Sequence, residues 1–195
     1  MSLRLITFFE MSTDDIKRLT GKLLTARFWI KVGRDASLIG GVVLIFTGLL
    51  FTYTGVWPPL VSVEGTSMVP DLKPNDLVLM KGIDRINVTT YSDALAAGHT
   101  AFGSYGDVIV YRPMGNTSTI PVIHRAIYYV NKGQPMWPGG PNAPYSGYIT
   151  KGDNNYLYDQ ASLISPDQPV KKEWIMGVCQ YQVPYLGGIN NLING

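Results

Sequence analysis

Ser67 sits in Val63-Glu64-Gly65-Thr66-Ser67-Met68-Val69-Pro70-Asp71-Leu72, a box suited to a nucleophile. A serine hydroxyl attacks poorly unless a base takes its proton. His124, in Val122-Ile123-His124-Arg125-Ala126-Ile127, is the base on offer, because no lysine lies between Lys81 and Lys132. An imidazole, with an unperturbed pKa of about 6.5, suits a general base near neutrality. Such a base needs an acceptor on its second ring nitrogen to hold one tautomer. Thr150-Lys151-Gly152-Asp153-Asn154-Asn155, with Asp159 six residues after Asp153, supplies two carboxylates for that task. The chemistry implied is acyl transfer. Taken singly, each residue also fits a plain role: Ser67 and the Gly-Asp-Asn-Asn stretch as turns, His124 as a half-buried polar residue. Gly106-Asp107 ahead of a β-run reads as a structural turn, and His99 as an exposed loop residue.

The elements that must position these groups can be read along the chain. Residues 1–35 hold seven Lys/Arg against four acids, and the rest holds nine against ten. Residues 36–63 carry no charged side chain, and their core, 36–56, is long enough for the roughly 20 residues a bilayer crossing needs. Tyr53 and Trp57 sit where interfacial aromatics belong, and Pro58-Pro59 is expected to end the helix. The basic excess before the span predicts a cytoplasmic N-terminus and an external remainder. No small-x-small cleavage site follows the apolar run, so it reads as an uncleaved anchor. The expected organisation is a cytoplasmic segment 1–35, a membrane helix 36–57 and an external domain 58–195. Before the span, Ser12-Thr13-Asp14-Asp15 starts a helix whose apolar residues Ile16, Leu19, Leu23 and Phe28 recur at helical spacing.

Beyond Pro59 the pattern changes to short runs rich in Val, Ile and Tyr: 77–80, 108–111, 121–130 and 174–183. Gly, Pro, Asn and Asp separate them, which predicts a mainly β domain. Residues 85–105 read as irregular with a short helix at 92–97. Residues 132–148, with four Pro and four Gly, read as a long surface loop. The net charge of +2 gives no reason to expect nucleic acid. Cys179 alone excludes an intrachain disulfide or a multi-cysteine metal site, and two histidines make a His-rich zinc site a poor fit. No cofactor or metal is expected.

Four motifs therefore follow one anchor in order: Gly65–Pro70 with Asn75-Asp76-Leu77-Val78, Gly106–Arg112, Val122–Ile127, and Thr150–Asn155 with Asp159. Over roughly residues 36–187 they resemble type I signal peptidases, specifically the archaeal and endoplasmic-reticulum branch. Bacterial members carry a lysine where this chain has His124. The resemblance implies a membrane-bound serine endopeptidase with a Ser67–His124–Asp159 triad and Asp153 in support. It implies that Leu60-Val61-Ser62 and Pro121-Val122-Ile123 flank the scissile bond. An extended signal peptide would pair there by strand addition, with small residues at the first and third positions before the cut. It implies contact with membrane lipid and with the protein-translocation machinery, while the one apolar run predicts a single pass through the cell membrane. The Ser67 backbone N–H is the expected oxyanion donor. Some relatives add a serine hydroxyl two residues earlier, where this chain has Gly65; Thr66 is the stand-in. Many archaeal relatives continue into a second span, whereas this chain stops at Gly195. Two alternatives stand beside this reading. One is a non-catalytic membrane-anchored β module that binds signal peptides within a processing complex. The other is a self-cleaving repressor, which would need a lysine base and a DNA-binding domain. Asn87-Val88-Thr89 and Asn116-Thr117-Ser118 have the form of glycosylation acceptors.

Overall fold

The computed structural model describes residues 12–23 and 25–185. Helix α1 spans Thr13–Leu23, with Asp14 and Asp15 in its first turn, where acids favour the helix dipole. The apolar face expected on Ile16, Leu19 and Leu23 falls on side chains outside the description. Helix α2 spans Ala26–Thr54. At about 1.5 Å per residue its 29 residues exceed the ~30 Å hydrocarbon thickness. Its most apolar stretch has a mean hydropathy of 2.0, and it is the one helix among the described residues long and apolar enough to cross a membrane. The helix starts ten residues before the uncharged core because nothing in 26–35 breaks it; Arg27, Lys31, Arg34 and Asp35 are long or polar helix residues. It closes earlier than Pro58-Pro59. Gly55 takes a left-handed conformation (φ +69) after Thr54, and a side chain there would run into Arg85. Arg85 in turn donates to the Thr52 carbonyl.

The second unit, residues 50–195, is mainly β. Its strands are β1 Leu60–Ser62, β2 Leu77–Gly82, β3 Thr100–Ala101, β4 Ser104–Tyr105, β5 Val108–Tyr111, β6 Val122–Val130, β7 Gly147–Lys151 and β8 Ile175–Val183. Six of them form one antiparallel sheet in the order β1-β2-β8-β5-β6-β7, and β3 and β4 pair separately. All four residues of β5 are buried. The alternating side chains of a strand explain this. Val108 and Val110 pack with Val63, Met68, Leu72, Val78, Met80 and Cys179 on one face. Ile109 and Tyr111 pack with Ala126, Val170, Ile175 and Val178 on the other. Strand β5 is thus a central strand covered on both sides, which is what its continuous apolar run requires. Short helix α3, Tyr91–Ala97, is capped by Thr90, whose hydroxyl accepts the Asp93 N–H at 3.3 Å.

Two parts of the irregular regions are more ordered than expected. The last residues of the 132–148 loop enter β7, and Pro135 bridges to Asn142 within it. A third apolar cluster under this loop gathers Val130, Met136, Ala143 and Ile149. His99, though partly exposed, lies with Nε2 2.7 Å from Oδ1 of the buried Asp107. The second Asp107 oxygen accepts the Thr89 N–H at 2.7 Å. Asp107 therefore ties the stretch before α3 to the start of β5, a structural task of the kind its Gly-Asp context suggests.

Candidate active site

Strand β6 carries His124 and Arg125 on opposite faces, because neighbouring residues of a strand point apart. The two side chains build two linked networks. His124 is buried, and its Nε2 lies 2.9 Å from Ser67 Oγ. Its Nδ1 lies 2.8 and 2.7 Å from the two oxygens of Asp159. With Nδ1 protonated against the carboxylate, Nε2 presents a lone pair to the serine hydroxyl.

Asp159 is fully buried in a 3-10 turn, Asp159–Ala161. A buried carboxylate is costly unless donors surround it. Besides the imidazole it receives the Tyr111 hydroxyl at 2.8 Å and the Thr150 hydroxyl at 2.6 Å. Thr150 is itself held by Gln160, whose Oε1 accepts the Thr150 N–H at 3.0 Å and whose Nε2 donates to Thr150 Oγ1 at 3.3 Å. Burial, and then the Asp159 charge, push the Tyr111 hydroxyl well above the usual tyrosine range. It keeps its proton and remains a donor to Asp159.

Ser67 is held from behind. The next residue, Met68, is buried in the core, and the Asp153 N–H approaches its Sδ at 3.5 Å. The Asn154 N–H donates to the Ser67 carbonyl at 2.8 Å. The Asn154 side-chain amide donates to the Thr66 carbonyl at 3.2 Å. Gly152 is buried at the junction of these groups. A Cβ there would stand 2.6 Å from Ser67 O, 2.8 Å from Asn155 Nδ2 and 2.9 Å from His124 Nε2. Glycine is what allows the 152–155 turn to close against the serine and the imidazole together.

Asp153 does not reach the serine–histidine pair. It grips Arg125 with both oxygens, Nε to Oδ1 at 2.8 Å and Nη2 to Oδ2 at 2.6 Å. The buried guanidinium also donates to the carbonyls of Ala101, Phe102, Tyr105 and Gly106. Arg125 thereby fastens the β3–β4 hairpin and the 152–155 turn to β6. Bidentate pairing of this kind is the strongest form of an Arg–carboxylate contact.

A cleft of about 610 Å³ opens beside Ser67 and His124. Val61, Ser62, Val63, Glu64 and Gly65 form one wall, and Ile120 to His124 the other. Val110, Met68 and Met176 also line it. Of the residues expected to flank a substrate, Val61, Ser62, Pro121, Val122 and Ile123 line the cleft and Leu60 does not. Thr66 is exposed and also lies off the lining; its carbonyl, not its hydroxyl, is engaged. A Cβ on Gly65 would stand 4.0 Å from both Ser67 N and Ser67 Oγ. Among the described residues the Ser67 N–H has no acceptor. Groups of three or more metal-binding side chains are absent from the described residues.

Tyr111, Thr150, Gln160, Arg125 and Gly152 complete the site without having been singled out by sequence reasoning. Period-two alternation in β6 was the available signal for Arg125. Tyr111 and Thr150 lay inside quoted motifs, but only strand register brings them to Asp159.

No protein-family model matches the chain. Among curated proteins, it is 24% identical over 188 residues to the signal peptidase complex catalytic subunit SEC11C of Mus musculus, covering 96% of this chain and 84% of that protein. The Homo sapiens SEC11C is 24% identical over 180 residues, with 92% and 78% covered. The chain is a distant relative of eukaryotic signal peptidase catalytic subunits. The similarity extends over nearly the whole chain, so it takes in the apolar helix and the β unit alike.

Proposed function

We propose that this protein is a membrane-bound serine endopeptidase that removes N-terminal signal peptides from translocated preproteins. The observation that carries the reading is the buried chain of contacts from Ser67 Oγ through His124 to Asp159. The names of the distant relatives give the substrate class. In this reading Ser67 Oγ attacks the scissile carbonyl while His124 Nε2 takes its proton. Asp159 holds the imidazole in the required tautomer and stabilises the imidazolium that forms. The imidazolium then hands the proton to the leaving amine. An acyl ester remains on Ser67, and water activated by the same imidazole hydrolyses it. The Ser67 N–H stabilises the oxyanion. Asp153 supports the site through Arg125 and the 152–155 turn. Thr66 contributes through its backbone carbonyl. The signal peptide lies extended between Val61-Ser62 and Pro121-Val122-Ile123, whose mainly apolar side chains favour small substrate residues before the cut.

The anchor is assigned to 36–57, of which 36–54 lies in α2, with 1–35 in the cytoplasm and 58–195 outside the cell membrane. The basic excess in 1–35 supports that orientation. The histidine base favours the archaeal and endoplasmic-reticulum branch over the lysine-based bacterial one. Membrane lipid is then a standing partner, and the translocation machinery supplies the substrate.

The test is preprotein cleavage by the full chain in detergent. Wild type should release the mature protein, and Ser67→Ala, His124→Ala and Asp159→Ala should each abolish cleavage while remaining folded. Undiminished cutting by the Ser67→Ala protein would end the proposal. Binding of signal peptides with no cleavage by wild type would favour the non-catalytic module instead.

A further inference from the structure

The cleft lining contains one guanidinium, and nothing in the triad uses it. Arg112 follows β5 directly and lies in the cleft two residues beyond Val110, on the same side of the strand. Its position relative to the nucleophile follows from strand register. Ile109 is opposite His124 and Tyr111 is opposite Val122, so the Arg112 backbone lies three residues along the β5–β6 pair from His124, and both residues line the cleft. At about 3.3 Å per residue that is roughly 10 Å, the length of three residues of an extended peptide.

The side chain is fixed but not neutralised. Nη1 donates to the carbonyls of Thr117 and Thr119 at 2.9 and 3.5 Å, which holds the guanidinium against the 116–119 stretch. Among the described residues no carboxylate lies within 4.0 Å of it. Glu64 also lines the cleft and forms no ion pair with Arg112. Half-buried, with donors to spare on a planar fork, Arg112 is built to receive a carboxylate. The rest of the cleft lining is largely apolar, with Ile120, Pro121, Val122, Ile164 and Met176 among it, and Glu64 is its one carboxylate.

We propose that Arg112 is a specificity-determining residue that selects an acidic side chain, and rejects a basic one, at about the fourth residue before the scissile bond. This rests on the peptidase reading above, in which the acyl side of the substrate runs from Ser67 along 121–123. The favoured substrates carry Asp or Glu between the apolar segment of the signal and the small residues at the cut. A partly exposed ion pair in such a place changes kcat/KM by about fivefold.

The test is a peptide series with Asp, Asn or Lys placed singly at each of positions two to six before the cut. Wild-type protein, Arg112→Gln and Arg112→Glu would be compared in detergent. Wild type should prefer Asp over Lys, with the ratio greatest at the third to fifth positions. Arg112→Gln should flatten the ratio, and Arg112→Glu should invert it. A role confined to holding the 116–119 stretch would slow every peptide equally and leave the ratio unchanged, which would overturn the proposal. A flat wild-type ratio would overturn it too, leaving the peptidase reading intact. No cleavage of any peptide by wild type would remove that reading and this one together. Should the Arg112 variants fail to fold, binding of the same peptides to the Ser67→Ala protein at low and high salt keeps the question open to refutation. The Asp peptide should bind about fivefold tighter than the Lys peptide at low salt and lose that margin at high salt. Equal affinities would contradict the assignment.

Discussion

Replacing Gly152 with alanine tests how tightly the 152–155 turn closes on Ser67 and His124. The added methyl would stand 2.6 Å from the Ser67 carbonyl oxygen and 2.9 Å from His124 Nε2, where ordinary contacts begin near 3.4 Å. One or both neighbours must therefore move by about 0.5–0.8 Å. The serine carbonyl cannot yield freely, because the Asn154 N–H holds it at 2.8 Å and Met68 is locked in the core. The imidazole is pinned on its far side by Asp159. A displacement of that size stretches the 2.9 Å serine–histidine contact to about 3.5 Å, beyond a useful hydrogen bond. Misplacement on this scale costs on the order of 100-fold in rate. Overpacking of one methyl costs about 1–3 kcal/mol in stability. Preprotein cleavage should therefore fall by one to two orders of magnitude in kcat, with KM little changed. Circular dichroism should show a folded protein with a lowered melting temperature. A Gly152→Ala protein with cleavage within threefold of wild type would refute the steric reasoning.

Asp153→Asn should destabilise the domain by ~3 kcal/mol, because it leaves the buried Arg125 guanidinium without its counter-charge. Denaturant unfolding reads this, and a loss below ~0.5 kcal/mol would contradict it. Alkaline pH should also weaken the fold. Burial, and then the Asp107 charge, push the Cys179 thiol up to about 12, and burial raises the Tyr111, Tyr128, Tyr145 and Tyr148 hydroxyls. These groups hold their protons longer folded than unfolded. Their contribution is complete below the unfolded values, about 8.5 for cysteine and 10 for tyrosine, and is lost as pH rises through the folded ones. Unfolding midpoints measured between pH 7 and 12 should fall from about pH 9, and Cys179→Ala should delay the onset; a flat profile to pH 12 would contradict the burial of these groups.

The segments carrying Ser67, His124 and Asp153–Asp159 stood out because each carries a local signature, and the structure brings Ser67, His124 and Asp159 together. The uncharged run of 36–56 announced its helix, and the Val/Ile/Tyr runs announced β2, β5, β6 and β8. What stayed hidden depends on contacts distant in sequence. Thr150 and Tyr111 meet Asp159 only through the β5–β6 and β6–β7 registers. Arg125 reads as a surface residue until the hairpin carbonyls of 101–106 surround it, since arginine is seldom fully buried. The two aspartates could not be told apart by spacing. Asp159 turns inward to His124 while Asp153 turns to Arg125, and which carboxylate meets which side chain is set by the opposite faces of β6. Strand β7 was masked by the Pro/Gly-rich loop that precedes it, and the start of α2 by charges that a helix tolerates well.

If Ser67 is the acyl-forming nucleophile activated by His124, the acyl ester on Ser67 is its most direct evidence. Full-length protein in detergent, mixed with a preprotein substrate and quenched in acid within the first turnover, can be digested and read by mass spectrometry. The account predicts the substrate's acyl fragment esterified on the peptide containing Ser67 in wild type, and no such adduct in Ser67→Ala. Rapid cleavage with the adduct on another residue would contradict it.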